Sequence, residues 1–232
     1  MAPEPAETPF LIFDLNETLL DLSEVRKAIS TALKGGEDTA VLWFETLLHY
    51  SLVASASDRF EAFGDIGATV LSMMAQIRGI KMDAAEARRI LEPIRSAPPF
   101  PEVLAALERF SRNGFRMAVL TNSPTENMET QLESAGIHRF FTRALSVEDI
   151  ALYKPHRHVY LWAAHRLQVS PGECLFVAAH GWDVAGALSA GMKAAFLSRP
   201  GQVPYPLAPA PDFSEPDLDK LYRTLSGSGG GS

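Results

Sequence analysis

One carboxylate ends a four-residue apolar run in the stretch Phe10-Leu11-Ile12-Phe13-Asp14-Leu15-Asn16-Glu17-Thr18. A run that short, bounded by polar residues, reads as a strand buried on both faces, which puts Asp14 where the strand emerges. In an open parallel α/β sheet, ligands bind beyond the carboxyl ends of the strands, where strand order reverses. An acid at that point is a candidate nucleophile. The same acid could instead cap a helix or sit in a solvated turn. Other reactive residue types offer less. Cys174 is the only cysteine, which excludes an intrachain disulfide and any multi-cysteine metal site; it directly precedes Leu175-Phe176-Val177 and reads as packing. His156 and His158 form a bare His-x-His, weak evidence for a metal without a further ligand, and are expected to be exposed.

An acid can work in this way only if a sheet holds it, and the rest of the chain supplies one. With 232 residues, 47% hydrophobic and 21% charged, the chain can bury a proper core as one large domain or as a domain with a smaller insert. A net charge of −7 argues against a nucleic-acid footprint, and there is no run of five basic residues. No apolar stretch approaches the ~20 residues of a membrane helix, and residues 1–9 lack the basic start and apolar centre of a secretory signal. A soluble protein of the reducing cytoplasm is expected.

Residues 1–9 read as a loose tail, followed by the first strand. From residue 22 to about 95 the pattern turns helical. Val25, Ala28, Ile29 and Ala32 fall at helical spacing, Gly35-Gly36 breaks the run, and further helices are expected at 42–53, 66–77 and 84–94, with no strand among them. This insert of roughly 75 residues is a small bundle rather than a loop, placed to cap the first strand's end. The proline-rich 97–101 returns to the main body, and a helix starts near Glu102. Strands at 115–120, 144–147, 175–179 and 194–197 then alternate with helices at 126–135, 159–167 and 184–190, implying a parallel sheet with right-handed crossovers. The proline-laden 201–216 is expected to wrap the surface before a short helix at 218–225. Residues 226–232 resemble an engineered linker and carry no functional weight.

Four motifs occur in order along this chain: Asp14-x-Asn16-x-Thr18, Leu120-Thr121-Asn122 at the end of the next strand, Lys154-Pro155, and Gly181-Trp182-Asp183. In this order and spacing they resemble the haloacid dehalogenase superfamily, and within it the type II 2-haloacid dehalogenases, over residues from about 10 to 225. The resemblance implies a Rossmann-like α/β core, at 10–20 and 98–225, with a helical cap domain at 21–97 inserted after the first strand. It implies that Asp14 attacks C2 of a 2-haloacid and expels halide, leaving an ester that water hydrolyses. Lys154 would be the neighbouring cation, its backbone fixed by Tyr153 and Pro155. Thr18 would hold the Asp14 carboxylate. Thr121 and Asn122 would donate to the substrate carboxylate, although Ser123-Pro124 also makes them an ordinary turn. Asp183 would polarise the water or orient Lys154. Asn16, Phe44, Leu48, Phe63, Tyr160 and Trp182 would line the substrate site, with Phe60 a further candidate wall. No cofactor and no metal are implied. The partners are a small halogenated carboxylic acid and its halide product, and the family's frequent pairing makes a homodimer an expectation.

Asn16 separates branches of the superfamily. Phosphatases resembling this fold carry an aspartate there that protonates the leaving oxygen, which an amide cannot do, whereas halide leaves without protonation. A phosphatase of the same superfamily is the alternative reading, and a silent binding module a third. The earlier of two acids that help hold Mg²⁺ in the phosphatase pattern corresponds to Ala179, leaving Asp183 alone, a poor set for an octahedral cation. The chain departs from the dehalogenase pattern too. Phe44 follows Trp43 where an arginine is usual, Ala178 replaces a serine and His180 an asparagine. His180 could orient or deprotonate the hydrolytic water, bind halide as imidazolium, or be a turn histidine satisfied by backbone.

Overall fold

The computed structural model describes residues 8–227, so the expected tail up to residue 7 and the linker from residue 228 lie outside the described residues. Six parallel strands form one sheet in the order β3-β2-β1-β4-β5-β6. Strand β1 is Phe10–Phe13, β2 Met117–Thr121, β3 Arg143–Ser146, β4 Cys174–Ala178, β5 Lys193–Leu197 and β6 Phe213–Glu215. All residues of β1, β2 and β4 are buried, as expected of strands covered on both faces. The order reverses between β1 and β4, and Asp14 is the first residue beyond β1, with its N–H donating to Val177 O across that switch point at 3.0 Å.

Between β1 and β2 lie α1 (Ser23–Ala32), α2 (Glu37–Ala56), α3 (Phe63–Ile77), α4 (Ala84–Leu91), a 3-10 turn (Glu92–Ser96) and α5 (Val103–Arg112). The first four helices are the expected strand-free insert. Two chain passes join them to the sheet: Leu20 bridges Pro99, and Asp21 N–H donates to Pro98 O at 2.8 Å. Within the insert, Trp43 Nε1 donates to Gly67 O at 3.0 Å, and a β-carbon at Gly67 would stand only 3.3 Å from the indole, so α2 and α3 approach closely there. With Trp43 turned inward onto α3, the next residue, Phe44, faces the sheet.

The later helices are α6 (Thr125–Ser134), α7 (Arg157–Leu167), α8 (Gly181–Ser189) and α9 (Leu218–Leu225), and they flank the sheet. Cys174 is buried at the start of β4, where burial pushes its thiol up to about 12. His156 and His158 are exposed and stack on each other. Strand β6 corrects the sequence reading, which gave 201–216 as surface wrapping only. It is an edge strand of three residues, so it needs one ladder partner and tolerates the flanking Pro211 and Pro216. No helix among the described residues is long and apolar enough to cross a membrane.

Candidate active site

Three carboxyl ends converge at the switch point, those of β1, β2 and β4, and each delivers one motif. After β1 the chain coils tightly: Leu19 and Leu20 N–H both donate to Leu15 O, which folds Thr18 back over Asp14. Thr18 Oγ1 donates to Asp14 Oδ2 at 2.7 Å and accepts from Ala179 N–H at 3.0 Å, tying the β1 and β4 ends together. Lys154 Nζ donates to Asp14 Oδ1 at 2.8 Å, to Asp183 Oδ2 at 2.6 Å and to Leu120 O at 3.1 Å, so its three protons are all spent. Its own N–H donates to Asn122 Oδ1 at 3.1 Å, which places the lysine at the tip of β2. Asp183 is fully buried, and its second oxygen accepts from Tyr160 Oη at 2.5 Å.

Burial raises the Asp14 carboxyl, but the Lys154 charge, with His180 adding, outweighs it and holds the group well below the usual carboxylate range. Lys154 goes up despite burial, because Asp14 and Asp183 both favour its charge. Asp183 goes up, since burial, with Asp14 adding, outweighs Lys154. Asp14 is therefore ionised, aimed and shielded from bulk water, as a carboxylate nucleophile must be.

Above these groups is a small cavity. Asp14, Thr121, Asn122, Lys154 and His180 make its floor, and Asn16, Phe44, Leu48, Phe63 and Trp182 its walls. To the centre of a water-sized sphere it encloses about 20 Å³. A larger cleft of about 440 Å³ shares the Asn16, Phe44 and Phe63 walls and opens between the insert and α6. All ten cavity residues are among those singled out in the sequence. Thr18 and Asp183 touch the floor residues from below. Tyr160 is a correction: it lies fully buried behind Asp183, not on the substrate wall. Phe60 stacks on Tyr153 and does not reach the cavity.

The side chains of Thr121 and Asn122 are partly committed, Thr121 Oγ1 to Ser123 N–H at 3.2 Å and Asn122 Oδ1 to Lys154, which leaves the Thr121 hydroxyl proton and the Asn122 NH₂ for a ligand. Asn16 donates to Ser123 Oγ at 3.0 Å and accepts from Gln131 Nε2 at 2.8 Å, so its amide is held as wall. With both carboxylate oxygens engaged, Asp183 is placed to orient Lys154. The residues do not fit a bound Mg²⁺. The Lys154 ammonium lies between Asp14 and Asp183, Ala179 brings a methyl group, and no group of three His, Cys, Asp or Glu side chains among the described residues is set to hold a metal.

His180 caps α8 with its ring between Phe44 and Trp182, at centroid distances of 5.4 and 5.3 Å. Its Nε2 is 3.1 Å from Glu17 Oε2, and its Nδ1 is 3.6 Å from Asp14 Oδ2. Burial alone would lower its pKa, but Asp14 and Glu17 raise it to about 9, so the ring is an imidazolium at neutral pH. That charge depends on an ionised Asp14, so it belongs to the free site and not to a state in which Asp14 is esterified. The sequence reading missed Glu17, although it lies inside the first motif. It also missed Arg199, just beyond β5, whose Nε and Nη2 donate to Thr18 O at 3.2 and 2.9 Å, and whose guanidinium stacks 3.8 Å over Phe100 while pairing with Glu102 at 2.7 Å. Nothing in local sequence marks Arg199, because its target is a backbone carbonyl far away in the chain.

Residues 10–191 match the haloacid dehalogenase-like hydrolases as a family. Haloacetate dehalogenase H-2 of Moraxella sp. (strain B) is 29% identical, over 93% of this chain and 97% of that protein. The (S)-2-haloacid dehalogenase of Pseudomonas sp. (strain YL) is 28% identical, over 94% and 95%. The structure of L-2-haloacid dehalogenase from Xanthobacter autotrophicus with chloropropionic acid covalently bound superposes with a TM-score of 0.87, at 24% identity, over 94% of this chain and 98% of that one.

Proposed function

This chain belongs to the haloacid dehalogenase-like hydrolases, and from that premise we propose that it hydrolyses short 2-haloalkanoic acids of the haloacetate and 2-halopropionate type to 2-hydroxy acid and halide. An Asp14 oxygen attacks C2, and the carbon–halogen electron pair leaves with the halide. Water then adds to the carboxyl carbon of the resulting ester: its oxygen stays in the regenerated Asp14 carboxylate, the former Asp14 oxygen leaves as the hydroxyl of the 2-hydroxy acid, and one proton is released. Thr18 fixes one Asp14 oxygen and Lys154 the other. Thr121 and Asn122 turn their free donors to the substrate carboxylate, and Phe44, Leu48, Phe63 and Trp182 enclose the carbon chain. The names of the relatives from Moraxella and Pseudomonas support this reading.

The observation that carries it is the pairing of an ionised, dehydrated Asp14 with an amide, not an acid, at Asn16, where the amide is already spent on Ser123 and Gln131. A leaving alkoxide would need a proton from that position. A halide does not. Halide release from chloroacetate, fluoroacetate and 2-chloropropionate, assayed beside a generic phosphate ester with Mg²⁺ or with EDTA, tests the reading. Chloride release unchanged by EDTA, with no phosphate release, is expected. Phosphate release strictly dependent on Mg²⁺ would overturn it.

A further inference from the structure

Glu17 has φ of 61°, a backbone region that favours glycine, yet it is a charged residue and buried. Only its partners offset both costs. One oxygen pairs with Arg26 of α1, and the other lies 3.1 Å from His180 Nε2. The remaining ring nitrogen, Nδ1, is buried, has no hydrogen-bond partner, and belongs to a side chain on the cavity floor. At 3.6 Å from Asp14 Oδ2 it is too far for a hydrogen bond but close enough that a lone pair there would face a carboxylate. Nδ1 therefore carries a proton, and with Nε2 donating to Glu17 the ring is a cation between two aromatic faces.

The charged groups around this ring are Asp14 beyond β1, Glu17 in the following coil, and Asp183 on its own helix α8. Lys154 reaches Asp14 and Asp183, Arg26 reaches Glu17, and α2 presents only Phe44. The three carboxylates and three cations balance while Asp14 is free. Once C2 is bonded to Asp14, that oxygen pair is a neutral ester, and the negative charge it held beside Nδ1 passes to the halide produced in the same step. The substrate's own carboxylate is carried unchanged into the ester, so the halide is the anion that replaces the charge lost beside His180.

Taking the dehalogenase reading as given, we propose that Glu17 and His180 form a halide-receiving site in this cavity. Glu17 is the positioning residue that fixes the ring through Nε2, and His180 presents its free Nδ1–H to the anion leaving C2. The pair takes the place of the arginine that Phe44 displaces.

Asp14→Asn copies the neutral ester, so bromide binding to that variant reads the site without turnover, followed by tryptophan emission, to which Trp182 contributes from its place on the ring. Saturable bromide binding at pH 7 is expected, weakened about ten-fold or more in Asp14→Asn/His180→Gln. In Asp14→Asn/Glu17→Gln the pH above which binding fades should fall by roughly one unit, a shift that a purely structural role would not produce. Glu17→Gly gives the same reading in a variant whose backbone suits that φ, should the glutamine variant fold poorly. Equal bromide affinity with and without His180 would overturn the proposal, as would acetate, rather than bromide, being the anion whose binding depends on His180. Bromide binding at His180 in a protein that releases no chloride from chloroacetate would contradict the dehalogenase reading alone. Normal dehalogenation with bromide affinity indifferent to His180 and Glu17 would contradict this site alone.

Discussion

The floor and the roof of the cavity are built on opposite plans. On the floor and just beneath it, Asp14, Thr18, Lys154, Asp183 and Tyr160 form one chain of hydrogen bonds, running from Ala179 N–H through Thr18 and Asp14 to Lys154, Asp183 and Tyr160. On the roof, Phe44, Leu48 and Phe63 contribute carbon alone. A buried network of this kind is costly unless every member is satisfied, so each floor position depends on its partners. A carbon wall is held by shape, and its members can be exchanged at lower cost. The floor should therefore fix whether reaction occurs, and the roof should fix which substrate fits.

The sharpest break of that contrast is Asp14→Asn. Turnover should fall on the order of 10⁴-fold or more while circular dichroism stays native, because the amide keeps its shape but lacks the negative charge that makes the carboxylate oxygen a nucleophile. Residual halide release of a few per cent would remove Asp14 as nucleophile. Next comes Lys154→Met, which leaves Asp14 and Asp183 buried without their shared cation. Stability should drop by about 3–5 kcal/mol and activity should be lost together with it, both readable by chemical denaturation and halide release at one pH. Since the stranded carboxylates can then be neutralised only by protons, the variant should regain stability as pH falls, opposite to what the lowered Asp14 carboxyl contributes in the parent. A variant as stable as the parent at pH 7 would mean that the floor is not one network.

The same contrast explains what could be read from the sequence. Much of the floor was legible because Asp14, Thr18, Thr121, Asn122 and Asp183 follow closely on the ends of β1, β2 and β4, and strand ends in a parallel sheet converge on one point whatever the connecting helices do. Asp14, Thr121 and Lys154 needed only that rule and the motif order. Tyr160 was misplaced because periodicity puts it on the buried face of α7 without saying whether that face meets substrate or Asp183. The roof was legible as helices, and Phe44 faces the cavity because Trp43 turns inward onto Gly67, a tertiary contact no local pattern encodes. Glu17 and Arg199 were missed for the same reason: one acts on His180 from the coil after β1, the other on a carbonyl from beyond β5. Strand β6 was hidden by prolines that an edge position tolerates.

His180 sits where floor and roof meet, and its charge gives a smaller effect tied to pH. Its pKa is raised above the ordinary value to about 9 by Asp14 and Glu17, against burial. The stabilisation is thus complete below the unfolded value of ~6.5 and is lost as pH rises through about 9, a few kcal/mol in all. Melting temperature followed from pH 6 to 10 should decline more steeply in the parent than in His180→Gln. Parallel curves would mean that the ring is not charged. Phe44→Arg should move the parent's decline to lower pH, because a second cation facing the ring disfavours its protonation.

The mildest change is confined to the roof. Leu48 is buried on the cavity wall and makes no polar contact, so Leu48→Ala removes carbon without touching the floor. The space enclosed is small, about 20 Å³ to the centre of a water-sized sphere, and the methyl by which 2-chloropropionate exceeds chloroacetate has to find room against this wall. A single methyl or methylene in an apolar pocket typically shifts kcat/KM by ~10-fold or somewhat more. The ratio of kcat/KM for 2-chloropropionate to that for chloroacetate should therefore rise about ten-fold in Leu48→Ala. The chloroacetate value should change less, since its reacting carbon is held by the floor. A rise for both substrates together would mean that Leu48 limits entry rather than fit, and that the larger cleft beyond Phe44 and Phe63 is the path concerned. An unchanged ratio would move size selection down to Thr121 and Asn122, and the division of labour between floor and roof would fail at its weakest point.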